Sequence, residues 1–334
     1  MALLPDRVDR GCRFGDLHHS VCRRPSQRHT FFAVVWFGSP HEPYSGLSKD
    51  LARYKNLPKS YQDRTVNLTS NLTGKQTTRP LHAVLQERYA EITALDRSIG
   101  KLRKWLVAEN LRENTLLWYC GDNGSPNGAS TTTPLRGQKA TMYEGGVRVP
   151  GIIEWPARIP KPRVSGVNPV TSDTLPTICD LLDLPTPKRP LDGISLKPLI
   201  DGEMEERAIP ICFWQFDIKR DAGRTIYIKP ELQSGTIPLV KMLDGLYTRN
   251  FVNYQHKKVT EQDFKGSRVI LDNRYKLVVN AKGDGATELF DVRADASEEN
   301  NLAKTRPKVV LALRRQLREW QQSVLNSMTG ADYR

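Results

Sequence analysis

The stretch Thr115-Leu-Leu-Trp-Tyr-Cys-Gly-Asp-Asn-Gly124 decides the fold. Its first six residues are an apolar run of strand length, too short for a helix and bounded by a glycine turn. Ahead of it, Leu81, Val84, Leu85, Tyr89, Ile92, Leu95, Ile99, Leu102 and Leu106 recur at steps of three and four. That spacing predicts a long amphipathic helix opened by Pro80. A helix feeding a buried strand is half of a βαβ unit, so a largely parallel sheet flanked by helices is expected. Two more runs join it as strands: Phe31–Phe37, read as buried on both faces, and Arg148–Trp155. Residues 45–79 between them are polar and turn-rich. Asn67-Leu-Thr69 and Asn71-Leu-Thr73 there match the glycosylation triplet, a pattern frequent by chance. Thr174–Leu182 reads as a short helix with proline in its first turn.

The pattern changes after Leu184. Pro185, Pro187 and Pro190 mark a connection. Ile209–Phe213, Arg268–Val279 with a hairpin turn at Asp272-Asn273, and Thr287–Asp291 read as short strands. Pro307–Met328 reads as a closing helix on Val310, Leu313, Leu317, Trp320 and Val324. A smaller antiparallel sheet packed by one helix follows for residues 185–334, with residues 217–266 as a basic, irregular insertion. Residues 1–30 crowd six arginines with three histidines and lack apolar periodicity, which sets them apart as a disordered or spurious leader.

Of the 334 residues, 38% are apolar and 26% charged, which excludes a membrane-embedded or fibrous chain. No apolar run approaches a membrane span. Fifty Lys+Arg against 37 Asp+Glu give a net charge of +13, which attracts polyanions. Neither a zinc-finger spacing nor an aromatic-basic RNA-binding strand accompanies it, so nucleic acid is not the expected partner. Five scattered cysteines make no disulfide framework. Met1-Ala-Leu-Leu-Pro-Asp-Arg7 has no secretory apolar core.

The chemistry collects at the end of the Thr115 strand. In open α/β sheets the carboxyl edge is where ligands bind. Asp122 and Asn123 offer carboxylate and amide oxygens suited to a hard cation, although Asp-Asn-Gly is also an ordinary turn. The following Pro134–Pro150 segment carries Gly137, Gly145 and Gly146, which permit close backbone approach, with Lys139 among them. A lysine beside a metal site can hold a tetrahedral oxyanion; alone, it reads as a solvated surface group.

Taken together, Trp118–Gly124, Leu135-Arg-Gly-Gln-Lys139, Tyr143-Glu-Gly-Gly-Val-Arg-Val-Pro150 and Arg88–Gly100 closely resemble the sulfatase family. Phe31–Pro43 resembles its strand and Pro-His-x-Pro loop. Tyr275-Lys-Leu-Val278, Glu288-Leu-Phe-Asp291 and Glu299-Asn-Asn-Leu302 are similar to its C-terminal subdomain. The resemblance implies an alkaline-phosphatase-like α/β fold with a smaller C-terminal antiparallel sheet and helix. It implies hydrolysis of sulfate esters of carbohydrates or aryl alcohols, and Ca²⁺ as cofactor. It places Asp122 and Asn123 as Ca²⁺ ligands and Lys139 on the sulfate oxygens. His41 would contact the sulfate or assist the leaving group.

The family's N-terminal Asp-Asp metal pair, its Gly-Lys-x-His segment and its Cys-x-Pro-Ser-Arg or Ser-x-Pro-Ser-Arg formylglycine precursor have no match. In Cys22-Arg-Arg-Pro-Ser-Gln-Arg28 the cysteine stands three residues before the proline, and Gln27 displaces the arginine. The sequence therefore reads as a truncated sulfatase, with 31–184 the C-terminal part of the catalytic domain and 185–334 the subdomain. Binding without significant turnover is expected. Cys120, ending an apolar strand, is expected to point into the sheet core. A phosphoester or phosphonate hydrolase of the same superfamily, and a non-catalytic binder of sulfated glycans, are the competing readings. Family members are often exported; compartment and oligomeric state are not legible here.

Overall fold

The computed structural model describes residues 31–41, 44–69, 76–126, 133–216, 259–281 and 286–333. In chain order the helices are α1 (Ser48–Leu51), α2 (Leu81–Ala108), α3 (Glu144–Val147), α4 (Thr174–Leu181), α5 (Lys197–Asp201) and α6 (Pro307–Thr329). The strands are β1 (Thr65–Thr69), β2 (Gln76–Pro80), β3 (Leu117–Cys120), β4 (Gly151–Glu154), β5 (Ile211–Trp214), β6 (Arg268–Asp272), β7 (Tyr275–Val279) and β8 (Thr287–Asp291). Two compact units are formed. One takes the described residues of Met1–Trp118, Pro126–Thr132 and Ile152–Pro160. The other takes Tyr119–Ser125, Thr133–Gly151 and the described residues of Lys161–Arg334.

In the first unit, helix α2 begins immediately after Pro80, whose extended backbone cannot continue a helix N-terminally. Its buried stripe, Leu81, Val84, Leu85, Arg88, Glu91 and Leu95, runs at steps of three and four, but the paired polar residues Arg88 and Glu91 take the buried places and Ile92, expected on the stripe, is exposed. Leu81, Val84 and Leu85 close a core with Tyr44 and Val66. Arg97 on α2 grips Asp50 of α1 with two hydrogen bonds, 3.0 and 2.8 Å. The guanidinium holds the Asp50 carboxyl below its usual range. Residues 45–79, expected as turns, also contain the antiparallel hairpin β1–β2, in register from Thr65↔Pro80 to Thr69↔Gln76. Strand β1 does alternate, with Val66 and Leu68 turned to the core between exposed Thr65 and Asn67, but it is only five residues long and its partner β2, Gln76-Thr-Thr-Arg-Pro80, has no apolar alternation to mark a hairpin. Asn67 lies on β1 and accepts a hydrogen bond from the Thr78 hydroxyl (2.8 Å); Asn71 lies outside the described residues.

The Phe31–Phe37 strand is not formed. This run carries no strand or helix, and Phe32 and Trp36 are 66% and 62% exposed. A strand exists through hydrogen bonds to a neighbour, and among the described residues no strand lies alongside this one. Strands β3 and β4, shorter than their apolar runs, form a two-stranded sheet.

The second unit is built on an antiparallel sheet in the order β5-β6-β7-β8. Alternation gives it two apolar faces. Ile270, Leu277, Val279 and Leu289 pack with Leu313 and Leu317 of α6. Val269, Val278 and Phe290 face the other way, against Met142 and Tyr143. The hairpin β6–β7 turns at Asn273-Arg274, one residue later than expected, since Asp272 pairs with Tyr275. Asn273 takes the left-handed conformation (φ +49°), which asparagine tolerates, and its side chain exchanges two hydrogen bonds with the Arg207 backbone. Arg207 itself forms a fully buried pair with Asp173 (2.7 Å) at the head of α4. Most of the expected 217–266 insertion lies outside the described residues.

Candidate functional site

Strand β3 delivers the chain to Gly121-Asp-Asn-Gly124, and backbone hydrogen bonds fasten this turn to the glycine loop that follows. Gly124 N–H donates to the Gly146 carbonyl (2.9 Å) and Ser125 N–H to the Gly145 carbonyl (3.0 Å). Lys139 N–H donates to the Ser125 carbonyl (2.7 Å), and Gly145 N–H to Arg136 (2.7 Å). The turn carrying Asp122-Asn123 and the loop carrying Lys139 are one hydrogen-bonded frame.

Only glycine fits where the two segments touch. A Cβ on Gly124 would stand 2.1 Å from the Gly145 carbonyl oxygen, and one on Gly146 2.2 Å from that of Thr141. Such close backbone approach is what glycine permits. Immediately after Lys139, Ala140 holds φ +70°, a left-handed conformation that costs an alanine about 1–2 kcal/mol. Asp122 and Lys139 are exposed, and Asn123 is half-buried, so their polar ends are open to a ligand.

The Cys120 thiol, expected in the core, is exposed. Cys120 is the last residue of β3, in a sheet that has two strands among the described residues. Partial desolvation and the Asp122 carboxylate push its pKa up, away from the thiolate a nucleophile needs.

His41 belongs to the other unit, in an exposed position. The segment just after it is clamped to α2 by three successive residues. Arg88 donates to the Tyr44 hydroxyl (2.7 Å) and lies over its ring at 4.7 Å. The buried Glu91 carboxylate accepts the Ser45 N–H (2.8 Å). A Cβ on Gly46 would stand 2.6 Å from that of Ala90.

The C-terminal sheet reaches the Lys139 loop through residues that sequence reading passed over. Arg136 donates to Glu288 (3.0 Å) on β8 and lies 3.9 Å over the Tyr143 ring. Tyr143 OH donates to the same carboxylate. Burial raises the Glu288 carboxyl, but these donors outweigh it and hold the group below its usual range. Lys276 on β7 lies 2.8 Å from Glu144 and 2.9 Å from Glu298, all three buried. The available signal was a lysine inside the apolar run Tyr275–Val279, a residue type that is buried only when paired.

The donor types at Asp122-Asn123 fit a hard cation. Their number does not, since Ca²⁺ takes roughly six to eight oxygens. Among the described residues no group of three or more His, Cys, Asp or Glu could hold a metal. No helix there is long and apolar enough to cross a membrane.

Residues 20–184 match the Sulfatase family model. An ulvan-active sulfatase from Formosa agariphila is 33% identical over 184 residues, covering 54% of this chain and 34% of that protein. Human arylsulfatase A is 39% identical over 114 residues, 32% of this chain and 22% of the relative. N-acetylgalactosamine-6-sulfatase of Canis lupus familiaris is 34% identical over 138 residues, 39% of this chain and 26% of the relative. A solved structure from work on glycosaminoglycan metabolism in Bacteroides thetaiotaomicron superimposes with a TM-score of 0.61 at 20% identity. It covers 95% of this chain and 60% of that one. The structure of Ps i-CgsB gives 0.59 at 18%, covering 86% and 49%.

Over residues 20–184 the chain matches the sulfatase family, and its fold is the alkaline-phosphatase-like α/β type with a C-terminal antiparallel sheet and helix. It spans about a third of the length of the first of these curated relatives and about a quarter of the others. The family match starts at residue 20, inside the stretch 1–30 that composition sets apart, and takes in the Cys22 segment. Those residues lie outside the described ones.

Proposed function

We propose that this chain carries the sulfate-binding part of a sulfuric ester hydrolase that acts on sulfated carbohydrates or aryl sulfates. The observation that supports it is the frame joining Gly124 and Ser125 to Gly145 and Gly146, with Lys139 bonded to Ser125. It lies within the family-matched segment. In this reading the Lys139 ammonium neutralises charge on the sulfuryl oxygens. Asp122 and Asn123 contribute two of the oxygens around Ca²⁺, the remaining donors coming from elsewhere. His41 contacts the sulfate or donates a proton to the leaving oxygen. In this reading none of the four serves as the nucleophile. The reading therefore gives these residues binding and charge neutralisation, not the covalent step.

The relatives named above are sulfatases, one of them ulvan-active; the net charge of +13 suits a polyanionic substrate of that kind. The test is calorimetric titration of the full chain with a sulfated oligosaccharide and with its unsulfated counterpart, with and without millimolar Ca²⁺. Heat from the sulfated ligand alone, lost in Lys139→Ala and weakened in Asp122→Asn when Ca²⁺ is present, is the expected result. Equal binding of both ligands, or unchanged affinity in Lys139→Ala, would overturn it.

A further inference from the structure

A lysine in the middle of a buried strand needs a reason. Lys276 sits on β7 with 1% of its surface exposed, among Leu277, Val278 and Val279. Desolvating an ammonium costs several kcal/mol unless it is well paired. Its two partners arrive from different segments. Glu144 opens α3, directly ahead of Gly145-Gly146, and Glu298 lies in the loop beyond β8. Glu298 does two things with one carboxylate. Oε1 faces Lys276 at 2.9 Å, and Oε2 accepts the Glu144 N–H at 2.6 Å. Glu144 is thus held at its side chain by Lys276 and at its backbone by Glu298, while Arg148 stands 3.6 Å from its second oxygen.

The path onward is short. The carbonyls of Gly145 and Gly146 receive Ser125 and Gly124, and the Ser125 carbonyl receives Lys139.

We propose that Lys276, with Glu144 and Glu298, positions the Lys139 loop, tying the sulfate-binding lysine and the Asp122-Asn123 turn to the C-terminal sheet. The proposal rests on the sulfate-site reading above. These residues are positioning groups, since each acts through the backbone of others. An apolar residue at 276 would fill the same space without selecting one register for the loop. A buried, paired charge does select one, because every slipped arrangement leaves an unpaired ion.

The test uses hydrogen exchange and inorganic sulfate titration on the full chain. In the unmodified protein the amides of Gly124, Ser125, Lys139 and Gly145 should be protected and should open together with those of β7. Exchange of these four at free-peptide rates while β7 stays protected would overturn the proposal without any variant. Lys276→Met/Glu144→Gln/Glu298→Gln removes all three buried charges and leaves no buried ion unpaired, since the guanidinium of Arg148 that faced Glu144 is half exposed. It should keep β6–β8 protected, yet lose loop protection and sulfate affinity by about 10- to 100-fold, as expected for groups that orient ligand-binding side chains. Glu298→Gln, which retains an acceptor for the Glu144 N–H, should show the smaller loss. A triple variant with unmodified loop protection and sulfate affinity would make the triad merely structural and sink the idea. Lys139→Ala separates the two readings: it should abolish sulfate binding with loop protection intact. Unchanged sulfate binding there would end the sulfate-site reading, and the exchange data would still judge the clamp.

Discussion

Phe31–Phe37 and β7 make an instructive pair. The first is seven consecutive apolar residues, the better strand by composition, yet it forms no strand and exposes Phe32 and Trp36. The second contains a lysine and is buried along nearly its whole length, paired to β6 on one side and β8 on the other. Neighbours make the difference. Strand β7 has a hydrogen-bonded partner at each edge and apolar cover on each face, and its one charge is matched by two carboxylates. The Phe-rich run pairs with no strand among the described residues, and Phe31, Val34, Val35 and Phe37 are only half-buried. Strand propensity states what a segment can do; pairing and cover decide what it does.

The sharpest way to break this comparison is to truncate an aromatic in each region. Phe290→Ala, in the fully buried face of the C-terminal sheet, should cost about 3–5 kcal/mol in urea unfolding. Trp36→Ala should stay within about 0.5 kcal/mol, as for exposed sites. Comparable losses would show that Trp36 is covered in solution. Glycines give the next contrast. Gly124→Ala forces a Cβ against the Gly145 carbonyl and should cost about 1–3 kcal/mol, with shifted amide resonances across 121–125. Gly100 on α2 has nothing within 4 Å of its missing Cβ, so Gly100→Ala should stabilise by about 0.5–1 kcal/mol.

The smallest effect is pH-dependent. Arg97 holds the folded-state pKa of Asp50 below 3.8. The unfolded chain therefore binds more protons in that window, so this stabilisation is present above 3.8 and lost as pH falls through the folded value. Urea unfolding below pH 4 should show a steeper acid loss for the unmodified chain than for Asp50→Asn. Parallel curves would remove the pair from the stability of α1.

Much of the fold was legible because its signals are local. The long helix after Pro80, the β8 strand and the closing helix from Pro307 follow from periodicity and end signals in the chain itself. The hairpin β1–β2 was missed although Val66 and Leu68 alternate with Thr65 and Asn67, because the signal is one short strand long and β2, Gln76–Pro80, carries no apolar residue but its final proline. At the site, Asp122, Asn123 and Lys139 were visible as motif residues. What supports them was hidden: Lys276 and Glu144 are 132 residues apart, and nothing local announces a contact at that separation. Cys120 illustrates the opposite error. A strand-final cysteine in an apolar run reads as core, but exposure depends on what covers the face its side chain points from, which the local sequence does not state.

The central claim is that the Asp122-Asn123 turn and the Lys139 loop serve one sulfate site, and a double-mutant cycle tests it most directly. Sulfate affinity is measured in millimolar Ca²⁺ for the unmodified chain, Asp122→Asn, Lys139→Ala and the double variant. The expected result is a coupling energy of about 0.5 kcal/mol or more, as for groups that share one ligand. Strictly additive losses, or no loss in either single variant, would contradict the account.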